Sequence, residues 1–128
     1  MQDDREYKNI VDIQSIILKK FNNDYRILNL LGKANKEIGN LDKAIHFLKL
    51  SLKVNPNYII ALNNLGNIYN YIGKFEEAIR LFLKAINNSP NSSVLYSNLG
   101  NSYWGQENFE SAVEYYNKAL NLDPTNVD

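Results

Sequence analysis

Apolar and polar positions follow a helical period through most of this chain. Between residues 59 and 72 the stripe is Leu62, Leu65, Ile68, Tyr69 and Ile72, spaced so that one helix face is apolar. Between 75 and 88 the stripe Phe75, Ala78, Ile79, Phe82, Ala85 and Ile86 has the same character. Gly73 lies between them and, lacking a Cβ, can take the left-handed conformation that ends a helix. Pro90 follows the second stripe, where proline cannot continue a helix. The pattern predicts two antiparallel helices joined by a tight turn.

The same unit recurs when the chain is shifted against itself by 34 residues, giving windows 25–58, 59–92 and 93–126. The second and third windows agree at 12 of 34 positions without a gap. The columns are Leu28/Leu62/Tyr96, Leu31/Leu65/Leu99, Gly32/Gly66/Gly100, Asn35/Tyr69/Tyr103, Leu41/Phe75/Phe109, Ala44/Ala78/Ala112, Leu48/Phe82/Tyr116, Ser51/Ala85/Ala119 and Pro56/Pro90/Pro124. A glycine inside a helix costs roughly 1 kcal/mol against alanine, so its recurrence predicts close helix approach. Asn40 and Asn108 are placed to cap second helices, whereas Lys74 is not.

These in-phase columns resemble the tetratricopeptide repeat. The resemblance implies an all-α fold, a right-handed superhelical solenoid of three helix-turn-helix repeats, with first helices lining a concave face. The first repeat departs from the family pattern at Asn35, where an aromatic is usual, and at Ser51, where alanine is usual. The third carries Glu107 where the turn usually has glycine, so that turn is expected to be distorted or displaced toward Gly105.

Residues 1–24 read as a half-repeat that packs on the first repeat (25–58), ahead of the second (59–92) and the third with its tail (93–128). Its helix is expected over 3–21, with Ile10, Ile13, Ile17 and Phe21 on one stripe. Shifted by 34, Tyr7 meets Leu41, Val11 meets Ile45 and Leu18 meets Leu52, as in a second helix whose first helix is missing. At the other end, Val113, Tyr116 and Leu120 are expected to lack cover, and repeat arrays normally carry a polar cap there.

Composition narrows the chemistry. Lys+Arg and Asp+Glu both number 14, which argues against a nucleic-acid binder or a polybasic membrane anchor. No cysteine and one histidine leave no thiol chemistry and no multi-histidine metal site. No apolar run approaches a membrane span, and the opening residues lack the apolar stretch of a signal peptide. A cytoplasmic protein without catalytic residues or cofactor is therefore expected. Residues 1–64 carry 10 Lys/Arg against 7 Asp/Glu, and 65–128 carry 4 against 7.

The expected partner is a protein or peptide. Once the core stripe is removed, the polar and aromatic positions of the first helices include Asn29, Lys33, Asn63, Asn64, Asn67, Asn70, Tyr71, Asn98, Asn101 and Trp104. An asparagine amide both donates and accepts, so a ladder of them suits an extended backbone. Asn, Ile, Lys and Tyr are all common here and share AT-rich codons, and the same columns fit ordinary solvated helix positions. Some family members clamp a peptide's terminal carboxylate with basic residues; Val94 and Asn98 occupy those columns here, which argues against a clamp. Two alternatives are a self-association module, forming a homo-oligomer through the uncapped C-terminal helix, and an accessory repeat domain of a larger transferase.

Overall fold

The structure, a computed structural model, describes residues 4–124. The expected helix start at Asp3 and the tail beyond Pro124 lie outside them. Among the described residues every regular element is an α-helix: α1 (Asp4–Asp12), α2 (Gln14–Phe21), α3 (Tyr25–Glu37), α4 (Leu41–Val54), α5 (Ile59–Tyr71), α6 (Phe75–Asn88), α7 (Ser93–Gly105) and α8 (Phe109–Leu122). The chain divides into two compact units, Met1–Asn64 and Leu65–Asp128, the division falling inside α5.

In the first unit α3 packs along α4, and α1 lies on α3. Leu28, Leu31 and Phe47 form the core, with Ile10, Ile17, Leu18, Ile27 and Leu50 packed against it. Asp24 starts α3 by accepting from the backbone N–H of Arg26 at 2.9 Å and of Ile27 at 3.3 Å, satisfying donors that a helix start leaves unpaired.

The single N-terminal helix expected from periodicity is two helices. Ile13 leaves helical geometry, with φ −108° and ψ 9°. Ile10 and Ile17 reach the core, but Ile13 (48% exposed) and Phe21 (40%) do not. A straight helical stripe therefore overstates what this segment buries.

The two polar departures in the first repeat each have a partner. Asn35 is fully buried, and its Nδ2 donates to the Leu31 carbonyl at 2.8 Å and to Gln14 Oε1 at 3.0 Å. The Asn35 Oδ1 is left without a partner. Ser51 Oγ donates to the Tyr25 carbonyl at 2.7 Å. Burying a polar group without a hydrogen bond is costly, and these bonds tie α2 to α3 and α4 to the start of α3.

In the second unit α6 packs on α7 and α7 on α8. The recurrent glycines mark close approach in both units. A Cβ added at Gly66 would stand 2.6 Å from the Phe82 ring, and one at Gly100 would stand 2.6 Å from the Tyr116 ring. In the first unit a Cβ at Gly32 would stand 2.7 Å from Leu48 Cγ. The third turn is neither displaced nor built on Gly105. Glu107 itself takes the left-handed conformation, with φ 62°, as Gly39 and Gly73 do in their turns. Gly105 lies inside α7, where a Cβ would run into the Phe75 ring, so its smallness serves packing.

Asn108 caps α8 by accepting from the Ser111 N–H at 3.3 Å. Asn40, expected to do the same for α4, makes no side-chain cap bond. Tyr115 lies nearly parallel to Tyr96 and Tyr103, with centroids 6.3 Å and 5.5 Å away. Burial raises its phenol above the usual tyrosine value, helped by Tyr103, Glu114 and Tyr96.

Candidate functional site

All ten residues singled out in the sequence lie on the first helices α3, α5 and α7, and the structure divides their roles. In the first unit, Asn29 is only 7% exposed, and its Oδ1 accepts from Asn64 Nδ2 at 3.1 Å. These two amides join α3 to the start of α5. Lys33 is half-buried, with its ammonium 5.9 Å above the Tyr7 ring, a cation–π contact that spends part of its charge on α1. Asn63 is half-buried and engaged with another residue of the chain.

In the second unit, Asn70 uses both ends of its amide internally. Its Nδ2 donates to the Asn98 carbonyl at 3.3 Å, and its Oδ1 accepts from Ser102 Oγ at 2.7 Å. Ser102 is fully buried, so this is a polar clamp between α5 and α7. Asn98 is half-buried and has a further interaction within the chain. Asn101 is exposed and accepts from the Tyr116 hydroxyl. Asn67 is half-buried, and no side-chain hydrogen bond is seen for it among the described residues.

The aromatics behave differently. Tyr71 is 81% exposed. Trp104 is 55% exposed and meets Phe109 edge-on at 4.7 Å. Tyr71 follows Asn67 by four residues on α5, and Trp104 follows Asn101 by three on α7. Residues so spaced share one helix face. Each first helix of this unit thus carries an amide beside an exposed aromatic.

The pattern reading missed one feature. An open hollow of about 370 Å³ lies at the α2–α3 turn, lined by Lys20, Phe21, Asn22, Asn23, Asp24, Tyr25 and Arg26. The signal in the sequence is Lys19-Lys20-Phe21 at the end of the N-terminal segment. Elsewhere among the described residues, no group of three or more His, Cys, Asp or Glu could hold a metal ion. No described helix is long and apolar enough to cross a membrane.

Helical hairpins, in-phase glycines at the helix crossings and prolines beyond the second helices define a helix-turn-helix repeat protein. Tetratricopeptide repeat models match residues 25–58, 47–80 and 93–126, and a TPR repeat model matches 66–107. The chain belongs to the tetratricopeptide repeat family. No curated protein sequence matches it. Among solved structures, a crystal structure of MamA protein is similar with a TM-score of 0.86 and 25% identity, over 93% of this chain and 65% of that one. A second crystal structure of MamA is similar with a TM-score of 0.86 and 25% identity, over 93% and 70%. MamA residues 41 to the end, from Desulfovibrio magneticus RS-1, give 0.78 and 25% over 97% and 78%. This chain thus spans just under two thirds of the first of these proteins. Family and neighbours together support a role in protein–protein interaction or scaffolding.

Proposed function

We propose that the chain is a non-catalytic scaffold whose first helices hold an extended peptide or a protein segment. The observation that carries this reading is Tyr71, which at 81% exposure contributes almost nothing to its own fold. Aromatic side chains are enriched where binding energy concentrates. Asn67 lies beside Tyr71 on the same helix face, and an amide can donate to a peptide carbonyl while accepting from a peptide N–H. Asn101 and Trp104 repeat the spacing on α7, where the Asn101 Oδ1 accepts from the Tyr116 hydroxyl and leaves the amide's donor end for a peptide carbonyl.

In this reading the expected ladder of amides is shorter. Asn29, Asn64 and Asn70 spend bonding capacity inside the fold; their part is to fix the helices from which Asn67, Tyr71, Asn101 and Trp104 project. Lys33, Asn63 and Asn98 belong to the supporting group.

Random peptides selected against the full chain and measured by fluorescence anisotropy test this. Tyr71→Ala and Asn67→Ala are expected to weaken a selected peptide by about 10-fold or more each, a loss typical of binding hot spots, with helicity and melting unchanged. Unchanged affinity in both variants would contradict the reading.

A further inference from the structure

Toward each end of the described residues an apolar face stands more exposed than its counterparts in the other repeats. In the column Leu41/Phe75/Phe109 the first two members are half-buried, whereas Phe109 is 48% exposed. In Ile45/Ile79/Val113 the first two are half-buried and Val113 is 50% exposed. In Leu52/Ile86/Leu120 the last is again the exposed member, at 36%. Phe109, Val113 and Leu120 recur at helical spacing, so α8 presents one apolar face.

The N-terminal segment lacks cover on a different side. Ile13 stands in the column of Phe47, which is 6% exposed, yet Ile13 is 48% exposed. Ile16 stands in the column of the half-buried Leu50 and is 69% exposed. The reason is topological: Phe47 and Leu50 lie on a second helix, whereas α1 and α2 follow no first helix among the described residues. Phe21, 40% exposed, continues this face into the hollow lined by Lys20, Tyr25 and Arg26.

The charges beside these faces are opposite. Lys19 and Lys20 end α2, and Arg26 starts α3. Glu107 lies in the turn before α8, Glu110 and Glu114 are exposed on it, and Asp123 follows it, with Lys118 the lone cation on α8. The acidic, apolar C-terminal end calls for a partner that is apolar with a basic border, and at the chain's own N-terminal end Lys19, Lys20 and Arg26 outnumber Asp12 and Asp24.

We propose that the occupant of the α8 face is a second copy of this chain, docking head to tail through the Ile13–Ile16–Phe21 face and its basic border. Such a contact is heterologous: every bound pair leaves one free end of each kind, so association continues beyond the dimer unless a ring closes. Charge complementarity sets the orientation and disfavours pairing of like ends. A single helix face makes a small interface, so the contact belongs to the transient class.

Analytical ultracentrifugation of the full chain from about 1 µM to about 1 mM, the range of transient affinities, tests the proposal. The mass is expected to rise past that of a dimer, and to fall back at about 1 M salt, where the Debye length is near 3 Å. Val113→Glu and the pair Lys19→Glu/Lys20→Glu change exposed positions, so circular dichroism is expected to match the parent. Each is expected to remain monomeric alone, and a mixture, in which the lysine variant supplies an intact α8 and Val113→Glu an intact N-terminal end, is expected to form a heterodimer in the wild-type affinity range that grows no further, because the outer end of each partner is blocked. Adding Glu110→Lys/Glu114→Lys to the lysine variant is expected to restore association to the wild-type range. A monomer at every concentration, or wild-type association by the lysine variant, would overturn the proposal; the latter outcome indicates α8–α8 pairing.

Discussion

The two compact units use one repeat frame with different interiors. In the first, Asn35 and Ser51 stand where the other repeats have Tyr69/Tyr103 and Ala85/Ala119, and their hydrogen bonds reach Gln14 and Tyr25. In the second, Tyr96, Tyr103 and Tyr115 stack with no buried amide between them. The frame therefore fixes where helices cross, while the residues filling each crossing answer to the neighbour actually present. Next to α2 that neighbour offers a glutamine oxygen; between α7 and α8 it offers aromatic faces.

The comparison breaks most readily in the shared column. Leu31 and Leu99 are both fully buried, one in each unit. Replacement of either by alanine is expected to cost about 3 kcal/mol, from lost burial plus the cavity left behind. Urea unfolding of both variants checks this. A loss well under 1 kcal/mol at one site alone would show that the two cores are not equivalent even where the frame is identical.

A polar position sharpens it. Ser51→Ala restores the small residue found in the other repeats but removes the hydroxyl's bond to the Tyr25 carbonyl. A loss of about 1 kcal/mol is expected, the usual net worth of such a bond, read from the same urea midpoints. A gain would mean that the hydroxyl is not needed there.

The smallest expected effect concerns the turns. Glu107 adopts the left-handed backbone that Gly39 and Gly73 supply in the other repeats. Glu107→Gly relieves the Cβ clash, a cost of roughly 1 kcal/mol for a non-glycine residue, but adds chain entropy to the unfolded state. A net gain of about 0.5 kcal/mol is expected in thermal melts, with no change in helicity.

Much of this was legible in the sequence because the repeat writes each contact three times. Gly32, Gly66 and Gly100 in phase with Leu48, Phe82 and Tyr116 already imply a helix crossing, and the structure places each pair in contact. Unrepeated features were harder to read. The break at Ile13 has no counterpart in the other second helices, and the stripe that predicted one straight helix counted Ile13 and Phe21 as core. The internal partners of the amides were also hard to read, because a bond such as Asn29–Asn64 spans 35 residues, one more than the period, and falls between columns. Exposed aromatics were easier: the core stripe left no place for Tyr71.

The central claim is that the exposed amide–aromatic faces of the first helices hold the partner chain. Nuclear magnetic resonance of the isotope-labelled full chain, titrated with a selected peptide, tests this most directly. The account predicts shifts in the Asn67 and Asn101 side-chain amides and the Tyr71 ring, with the second helices α4 and α6 silent. Shifts on α4 and α6 with Asn67 and Tyr71 unmoved would contradict it.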